Sequence, residues 1–201
     1  MLFEPPSSAP ASRPADVPDM LKVLVVGGFG VGKTTFITTV SEIAPAYTEE
    51  RMTQAGQIVD RLEDVPHKTT TTVTTDFGRR TVGDGLILYL FGAPGQQRFR
   101  ELWADTARGA AGVLVLVDTR RLGESFEAFD AVEDSNLPFV VAVNRFPGSE
   151  PVSDEVLLDH LGLPPATPLI VCDARDLASS LRALIALTTH LIALATRTSR
   201  P

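Results

Sequence analysis

Short runs of apolar residues recur along the chain, and segments with helical spacing separate most of them. The first run begins at Leu21 and is rich in β-branched residues, which is typical of a strand buried on both faces of a sheet. Similar runs follow at 86–91, 112–117, 139–144 and 168–172. Because strands and helices alternate, the pattern predicts an α/β fold with a mainly parallel sheet.

One stretch breaks this alternation. Residues 71–82 are rich in threonine and lead into Gly83-Asp84-Gly85, a sequence typical of a hairpin turn. We therefore expect a three-layer domain in which a six-stranded sheet, mainly parallel with one antiparallel edge strand, lies between about five helices. Apolar residues from Leu177 to Ile192 fall on one face of the last helix, which favours core packing over the alternative of a partner-binding helix.

The two ends of the chain differ in composition from the rest. Residues 1–19 are rich in Pro, Ser and Ala and have no apolar period, so we predict a disordered tail. This tail is either a regulatory arm or lies upstream of the true start, with Met20 as the initiator. We expect one folded domain over residues 20–197 and a second short tail over 198–201.

Charge and cysteine content narrow the possible functions. A formal net charge of −7 argues against binding to nucleic acid or directly to an anionic membrane surface. The single cysteine, Cys172, cannot form an intramolecular disulfide. We find no signal peptide, no uninterrupted apolar run that would span a bilayer and no lipidation motif. These features predict a cytoplasmic protein with no direct membrane anchor. A partner would have to recruit such a protein to a membrane.

The strongest motif lies between the first predicted strand and the helix that follows it. It matches the pattern G-x-x-x-x-G-K-[ST], in which glycines let backbone amides wrap a phosphate, the lysine adds a positive charge and the last hydroxyl binds Mg²⁺. Here that lysine is Lys33 and that hydroxyl belongs to Thr34. The predicted phosphate-binding residues are Gly27, Gly28, Phe29, Gly30, Val31, Gly32, Lys33, Thr34 and Thr35.

Two further segments have the residues expected of loops that sense a third phosphate. Ahead of the predicted antiparallel strand, a threonine hydroxyl would close over Mg²⁺; we favour Thr72, with Thr71 as the alternative. After the strand at 86–91 comes Pro94-Gly95-Gln96. There Gly95 would offer its amide to the γ-phosphate and Gln96 would orient the attacking water, so we predict Gln96, Gly95 and Lys33 as catalytic residues.

Together these motifs resemble the Ras-like GTPase superfamily, and in particular the bacterial gliding-polarity and conservon-type small GTPases. Those families tend to have a Pro-Gly-Gln second switch and a Thr-x-x-x-Asp-Phe first switch, matched here by Thr72 to Phe77. The resemblance covers about residues 21–195 and implies the P-loop NTPase fold, GTP/GDP and Mg²⁺ as ligands, and slow hydrolysis. It also implies protein partners, namely a roadblock-type regulator or activator and a sensor-kinase-like complex.

The chain departs from the Ras-like D-x-x-G pattern at Gly92, where an aspartate normally anchors Mg²⁺. This loss predicts weaker Mg²⁺ binding. Asp118 ends the apolar run at 112–117 and is a candidate to compensate. The alternative, which we favour, is that Asp118 caps the helix or turn that follows it.

The second departure concerns recognition of the base. The superfamily reads guanine with N-K-x-D, whereas this chain has Asn144-Arg145-Phe146-Pro147, so a proline replaces the specificity aspartate. Loss of two charged hydrogen bonds to guanine would lower the preference for GTP by about a hundredfold or more. Asn144 would still organise the phosphate loop and Arg145 would stack on the base.

The place of the superfamily's S-A-K loop is taken by Asp173-Ala174-Arg175, where the Ala174 amide would donate to a guanine oxygen. Glu150 and Asp154 are candidates to replace the lost acid. Three functions remain open: a slow GTP-hydrolysing switch, a pseudo-GTPase that acts only as an interaction module, and a P-loop ATPase with relaxed base specificity.

Overall fold

Seven strands form one sheet in the part of the chain that the structure describes, a computed structural model covering residues 20–44, 46–50, 73–83, 85–93 and 100–198. The sheet has the order β2-β3-β4-β1-β5-β6-β7. The strands are β1 Met20–Val26, β2 Ala46–Glu50, β3 Val73–Val82, β4 Leu86–Gly92, β5 Gly112–Val117, β6 Phe139–Asn144 and β7 Leu169–Cys172. Strands β1, β4, β5, β6 and β7 are parallel, and β3 runs antiparallel to both of its neighbours.

The described residues also form five α-helices and a 3₁₀ helix, and all of them except the last α-helix lie between strands along the chain. The α-helices are α1 Lys33–Val40, α2 Arg100–Ala107, α3 Phe126–Ser135, α4 Asp154–His160 and α5 Leu177–Thr198. The 3₁₀ helix, Thr119–Ser125, follows β5 directly and leads into α3.

The central strands are apolar on both faces because helices cover both sides of the sheet. Val23 and Val25 of β1 pack into a core shared with α1 and α5, whereas Leu24 and Val26 pack into a second core shared with α2, α3 and α4. Successive residues of a strand point to opposite faces, so a continuous apolar run supplies both cores. The result is the three-layer arrangement that the alternating pattern predicts.

Helix α5 is long and apolar enough, by length and composition alone, to cross a membrane. However, its Ala183, Leu184 and Leu187 are fully buried against the sheet and α1, and Thr188 is buried beside them. A helix with one face committed to the core of an α/β domain has an apolar composition for that reason. This is the core-packing helix that the spacing of its leucines indicates.

The α/β class, the mainly parallel sheet and the one antiparallel strand are confirmed, and the described residues form seven strands where the sequence predicted six. The additional strand is β2, which pairs with β3 from Ala46↔Phe77 to Glu50↔Val73 and moves the antiparallel strand one place in from the edge. Its sequence, Ala-Tyr-Thr-Glu-Glu, has no apolar run, since an edge strand is held through its backbone on one side only. The tails at 1–19 and 199–201 lie outside the described residues, Thr198 ends α5, and the domain boundaries stay a prediction.

The parallel strands end at the same side of the sheet, and the loops that follow them meet there. The loop after β1 spans Gly27 to Gly32, the loop after β6 begins at Arg145, and the loop after β7 begins at Asp173. In open α/β sheets, ligands bind outside the carboxyl ends of the strands. The fold therefore brings the phosphate motif and the two candidate base-recognition loops to one place.

Candidate functional site

The loop between β1 and α1 has a backbone shape that requires glycine. Gly27, Gly30 and Gly32 have φ values of 142°, 70° and 101°. A Cβ atom at Gly27 would lie 2.3 Å from the carbonyl oxygen of Leu116, which leaves no room for any side chain. The loop runs directly into the first turn of α1, which places the positive end of the helix beside it.

Lys33 lies across this loop at its junction with α1. Its Nζ donates to the carbonyl oxygens of Gly27 and Gly28, both at 2.9 Å. Burial lowers the pKa of the Lys33 ammonium, and the negative charge of Asp76 opposes that shift. A partly desolvated cation beside a glycine-rich loop is strongly attracted to an anion, because little water must be displaced from it.

Thr34 and Asp76 form the second polar contact of the site. The Thr34 hydroxyl donates to Oδ2 of Asp76 on β3 over 2.7 Å. Beside them, a Cβ atom at Gly92 would lie 3.0 Å from the Cβ of Asp76 and 3.1 Å from its Oδ2. The space that an aspartate would need at position 92 is therefore occupied by a carboxylate from the neighbouring strand.

The role of Asp76 was missed from the sequence, although it is the Asp of the Thr-x-x-x-Asp-Phe pattern. The adjacent strand places a carboxylate where Gly92 lacks one. Phe77 of β3 pairs with Phe91 of β4, so the next residues, Asp76 and Gly92, lie side by side. The sequence signal that could have indicated this contact is the glycine at position 92, since a residue without a side chain leaves room for one from the neighbouring strand. The loss of D-x-x-G therefore does not leave the site without an acid.

Asp118 is not the compensating acid. Its side chain is buried, accepts a hydrogen bond from the backbone N–H of Arg120 at 3.0 Å, and caps the 3₁₀ helix. Its carboxylate is also held by the Arg120 guanidinium, with Nε at 2.9 Å and Nη2 at 2.8 Å. Hydrogen bonds from the Arg120 side chain lower the pKa of Asp118 and keep it ionised. The structure thus places this residue in the capping role.

Asn144 connects the three loops at the site. Its Nδ2 donates to the carbonyl oxygen of Val31 in the phosphate loop at 2.9 Å, and its Oδ1 accepts from the amide of Ala174 at 2.9 Å. All three residues are buried. The Ala174 amide, which the sequence suggested as a donor to guanine, is therefore already satisfied by Asn144.

The carboxylates in and near the two candidate base-recognition loops, after β6 and after β7, differ in their contacts. The Asp173 carboxylate is held by Arg175 through Nε at 2.9 Å and Nη2 at 2.7 Å, and these bonds lower the pKa of Asp173 to about 2. Glu150 and Asp154 line, with Arg145, a small cavity of about 20 Å³ beside the loop after β6. The Asp173 carboxylate is therefore engaged by Arg175, and the roles of Glu150 and Asp154 stay predictions.

Several predicted site residues are placed only in part. Thr72, Gly95 and Gln96 lie outside the described residues, so their roles stay predictions. The side chain of Phe29 is 75 % exposed at the tip of the phosphate loop, and Thr35 is exposed on α1. The described part of the site therefore consists of the phosphate loop, the Lys33 cation, the Thr34–Asp76 pair and the loops joined by Asn144.

Comparisons with known proteins agree with this geometry. The chain is similar to ADP-ribosylation factor-like protein 8c of Arabidopsis thaliana, at 26 % identity over 107 residues, which is 49 % of this chain and 58 % of that relative. Its fold is similar to that of the FeoB G-domain from Methanococcus jannaschii, with a TM-score of 0.56, 15 % identity, and 86 % and 98 % of the two chains covered. The G domain of the T. maritima FeoB iron transporter gives a TM-score of 0.56 at 17 % identity, with 88 % and 99 % covered.

Solved structures at this level of identity establish the fold, and the family is established by the sequence itself. Residues 25–194 match the family described as conserved hypothetical ATP-binding proteins, a span that runs from β1 into α5 and includes every loop of the site. The chain therefore belongs to the family of conserved hypothetical ATP-binding proteins and has the fold of a P-loop GTPase domain.

Proposed function

We propose that this chain is a GTP-binding molecular switch that hydrolyses GTP slowly, with Mg²⁺, and presents different surfaces to protein partners in its two nucleotide states. The observation that carries the proposal is the phosphate loop, with Lys33 across it and the Thr34 hydroxyl paired to Asp76. Similarity to proteins named as an ADP-ribosylation factor-like protein and as G domains supports GTP as the ligand.

The Thr34–Asp76 pair suits Mg²⁺ because it consists of hard oxygen donors, which this cation prefers. By donating its proton to Asp76 at 2.7 Å, the Thr34 hydroxyl keeps its lone pairs free on the other side. Thr34 would hold the cation directly and Asp76 would anchor it through the hydroxyl and a bound water, with Thr72 as the predicted further ligand. When bound, Mg²⁺ neutralises the negative charge of the phosphate oxygens.

For partners, we propose a roadblock-type regulator or activator and a sensor-kinase-like complex, which would recruit a cytoplasmic protein to the membrane. The support is the resemblance to the conservon-type and gliding-polarity GTPases. A switch of this class is slow unaided because its stabilising arginine often comes from a partner. Hydrolysis at such a site depends on positioning the water and stabilising the charge of the phosphates, and a partner that adds an arginine would accelerate it.

Hydrolysis is tested by a single-turnover assay with GTP and Mg²⁺. We expect slow release of phosphate that falls by at least about tenfold in Gln96→Leu, because the hydrophobic side chain cannot orient the attacking water. Gln97→Leu is the control, since it makes the same change at the next position. Nucleotide binding without any release of phosphate by the unmodified protein would establish the pseudo-GTPase function and overturn the hydrolase.

A P-loop ATPase with relaxed base specificity is the second candidate, and three observations favour it. Position 147 is proline, the Ala174 amide is bound to Asn144, and the Asp173 carboxylate is bound to Arg175. The groups that would select guanine are thus absent or already paired. The family to which the chain belongs is also described as ATP-binding.

The base is tested by competition between GTP and ATP for the purified protein. We expect only a modest preference for GTP, which Pro147→Asp raises by about a hundredfold by restoring two charged hydrogen bonds to guanine. Pro151→Asp is the control, because it adds the same charge in the exposed loop that follows. A strong preference for GTP that Pro147→Asp leaves unchanged would contradict this account of base recognition, and equal affinities would favour the ATPase.

A further inference from the structure

The 3₁₀ helix after β5 lies against the phosphate loop. A Cβ atom at Gly28 would lie 2.8 Å from the carbonyl oxygen of Glu124 and 2.9 Å from its Cβ, so the two backbones are in close contact. The 3₁₀ helix is interrupted at Arg121, where φ is −143° and ψ is 50°. This kink occurs where the segment meets the loop.

The Arg121 guanidinium links this segment to the phosphate loop. Its Nη2 donates to the carbonyl oxygen of Phe29 at 3.3 Å, and its Nη1 donates to Glu124 at 3.2 Å. Its Nε lies 3.5 Å from the buried carboxylate of Asp118. The guanidinium is thus held between two acids, and one of its remaining N–H groups is directed at a loop carbonyl.

This contact determines which way one peptide group faces. The bond between Phe29 and Gly30 is trans, so its C=O and N–H point in opposite directions. With the Phe29 oxygen turned to Arg121, the Gly30 N–H is turned away from Arg121. An anion-binding loop requires its amides to converge on the phosphates.

The loop needs such a restraint because glycine does not supply one. Gly30 has φ of 70°, and glycine adopts positive and negative φ about equally readily, so the peptide before it turns over easily. A contact from outside the loop favours one orientation before the ligand arrives. Binding then does not have to order that peptide.

We propose that Arg121 is a positioning residue for the phosphate chain: it fixes the Phe29–Gly30 peptide so that the Gly30 amide faces the bound phosphates. Arg121 acts through the loop and not by contact with the nucleotide, because its guanidinium lies on the carbonyl side. Asp118 and Glu124 keep the guanidinium in place. The inference rests on the proposed nucleotide binding, and it adds a residue outside the phosphate-loop motif that contributes to phosphate affinity.

The test measures the affinity of the full chain for GDP, ADP and tripolyphosphate by calorimetry, in Arg121→Ala and Arg121→Lys. We expect Arg121→Ala to lower the affinities for all three ligands by a similar factor of about ten, since the substitution disturbs the contacts to the phosphates and not those to the base. Arg121→Lys, which keeps the charge without the planar fork, should recover part of the affinity. Arg108→Ala is the matched control, because Arg108 forms a similar i,i+3 pair with Asp105, at 3.3 Å, on the surface.

The melting temperature of the nucleotide-free protein separates positioning from a general loss of structure. We expect Arg121→Ala to change it no more than Arg108→Ala does. An Arg121→Ala variant that binds all three ligands within twofold of the unmodified protein would overturn the role of Arg121 while leaving the proposed function intact. An unmodified protein that binds none of them would overturn both.

Discussion

Replacing Lys33 with methionine is expected to lower the affinity for GTP and GDP by about a hundredfold or more, because charge-assisted hydrogen bonds to phosphate are lost from a partly desolvated site. The Lys33 ammonium already lies within 2.9 Å of two carbonyl oxygens of the phosphate loop, so it needs little rearrangement to meet a ligand. Calorimetric titration of nucleotide into the Mg²⁺-replete protein measures the effect.

Lys22→Met is the control for this substitution. Lys22 lies on β1, and its ammonium donates to the Arg108 carbonyl oxygen, away from the phosphate loop. Its replacement should leave the nucleotide affinity unchanged. If Lys33→Met bound GTP within a few-fold of the unmodified protein, the phosphate loop would not be the ligand site, and the proposed function would have to be abandoned.

The second large effect is expected from exchanging the acid between Asp76 and Gly92. Mg²⁺ is expected to raise the affinity for nucleotide. In Asp76→Gly this increase should be smaller by a factor of about ten or more, because Thr34 loses the carboxylate that orients its hydroxyl. Gly92→Asp alone should also be unfavourable, since its Cβ would lie 3.0 Å from that of Asp76 and would bring a second negative charge beside it.

The double variant Asp76→Gly with Gly92→Asp is the decisive measurement. It places one carboxylate at the position used by D-x-x-G and removes the one across the sheet, so we expect it to recover part of the Mg²⁺ dependence. Affinity for GDP at a series of Mg²⁺ concentrations reads out all three variants, with the exposed Asp130→Asn on α3 as control. A double variant that is no better than Gly92→Asp alone would contradict the assignment of Asp76.

The positions of the parallel strands along the chain and the phosphate loop could be predicted from the sequence because both depend on local patterns. Strands β5 and β6 have the predicted bounds, and Lys33 begins α1 directly after the glycine motif. Strand β2 could not be predicted, since its only requirement is backbone pairing with β3.

The parts of the site that could not be predicted depend on contacts between distant segments. Asp76 meets Thr34 over 42 positions of sequence, and the contact follows from the register of β3 against β4. Register is set by the packing of a whole sheet face and by turn geometry, neither of which is visible in a motif. The pairing of the Ala174 amide with Asn144 was missed for the same reason, because 30 positions separate the two residues.

Asn144 also has a consequence for how a ligand leaves. One carboxamide bridges the carbonyl of Val31 and the amide of Ala174, and a Cβ atom at Gly32 would lie 2.7 Å from its nitrogen. The glycine-rich loop and the loop that begins at Asp173 are therefore held together, and neither can move away from the other without breaking a buried hydrogen bond. If a nucleotide binds beside these loops as proposed, its release should accordingly require both of them to move together.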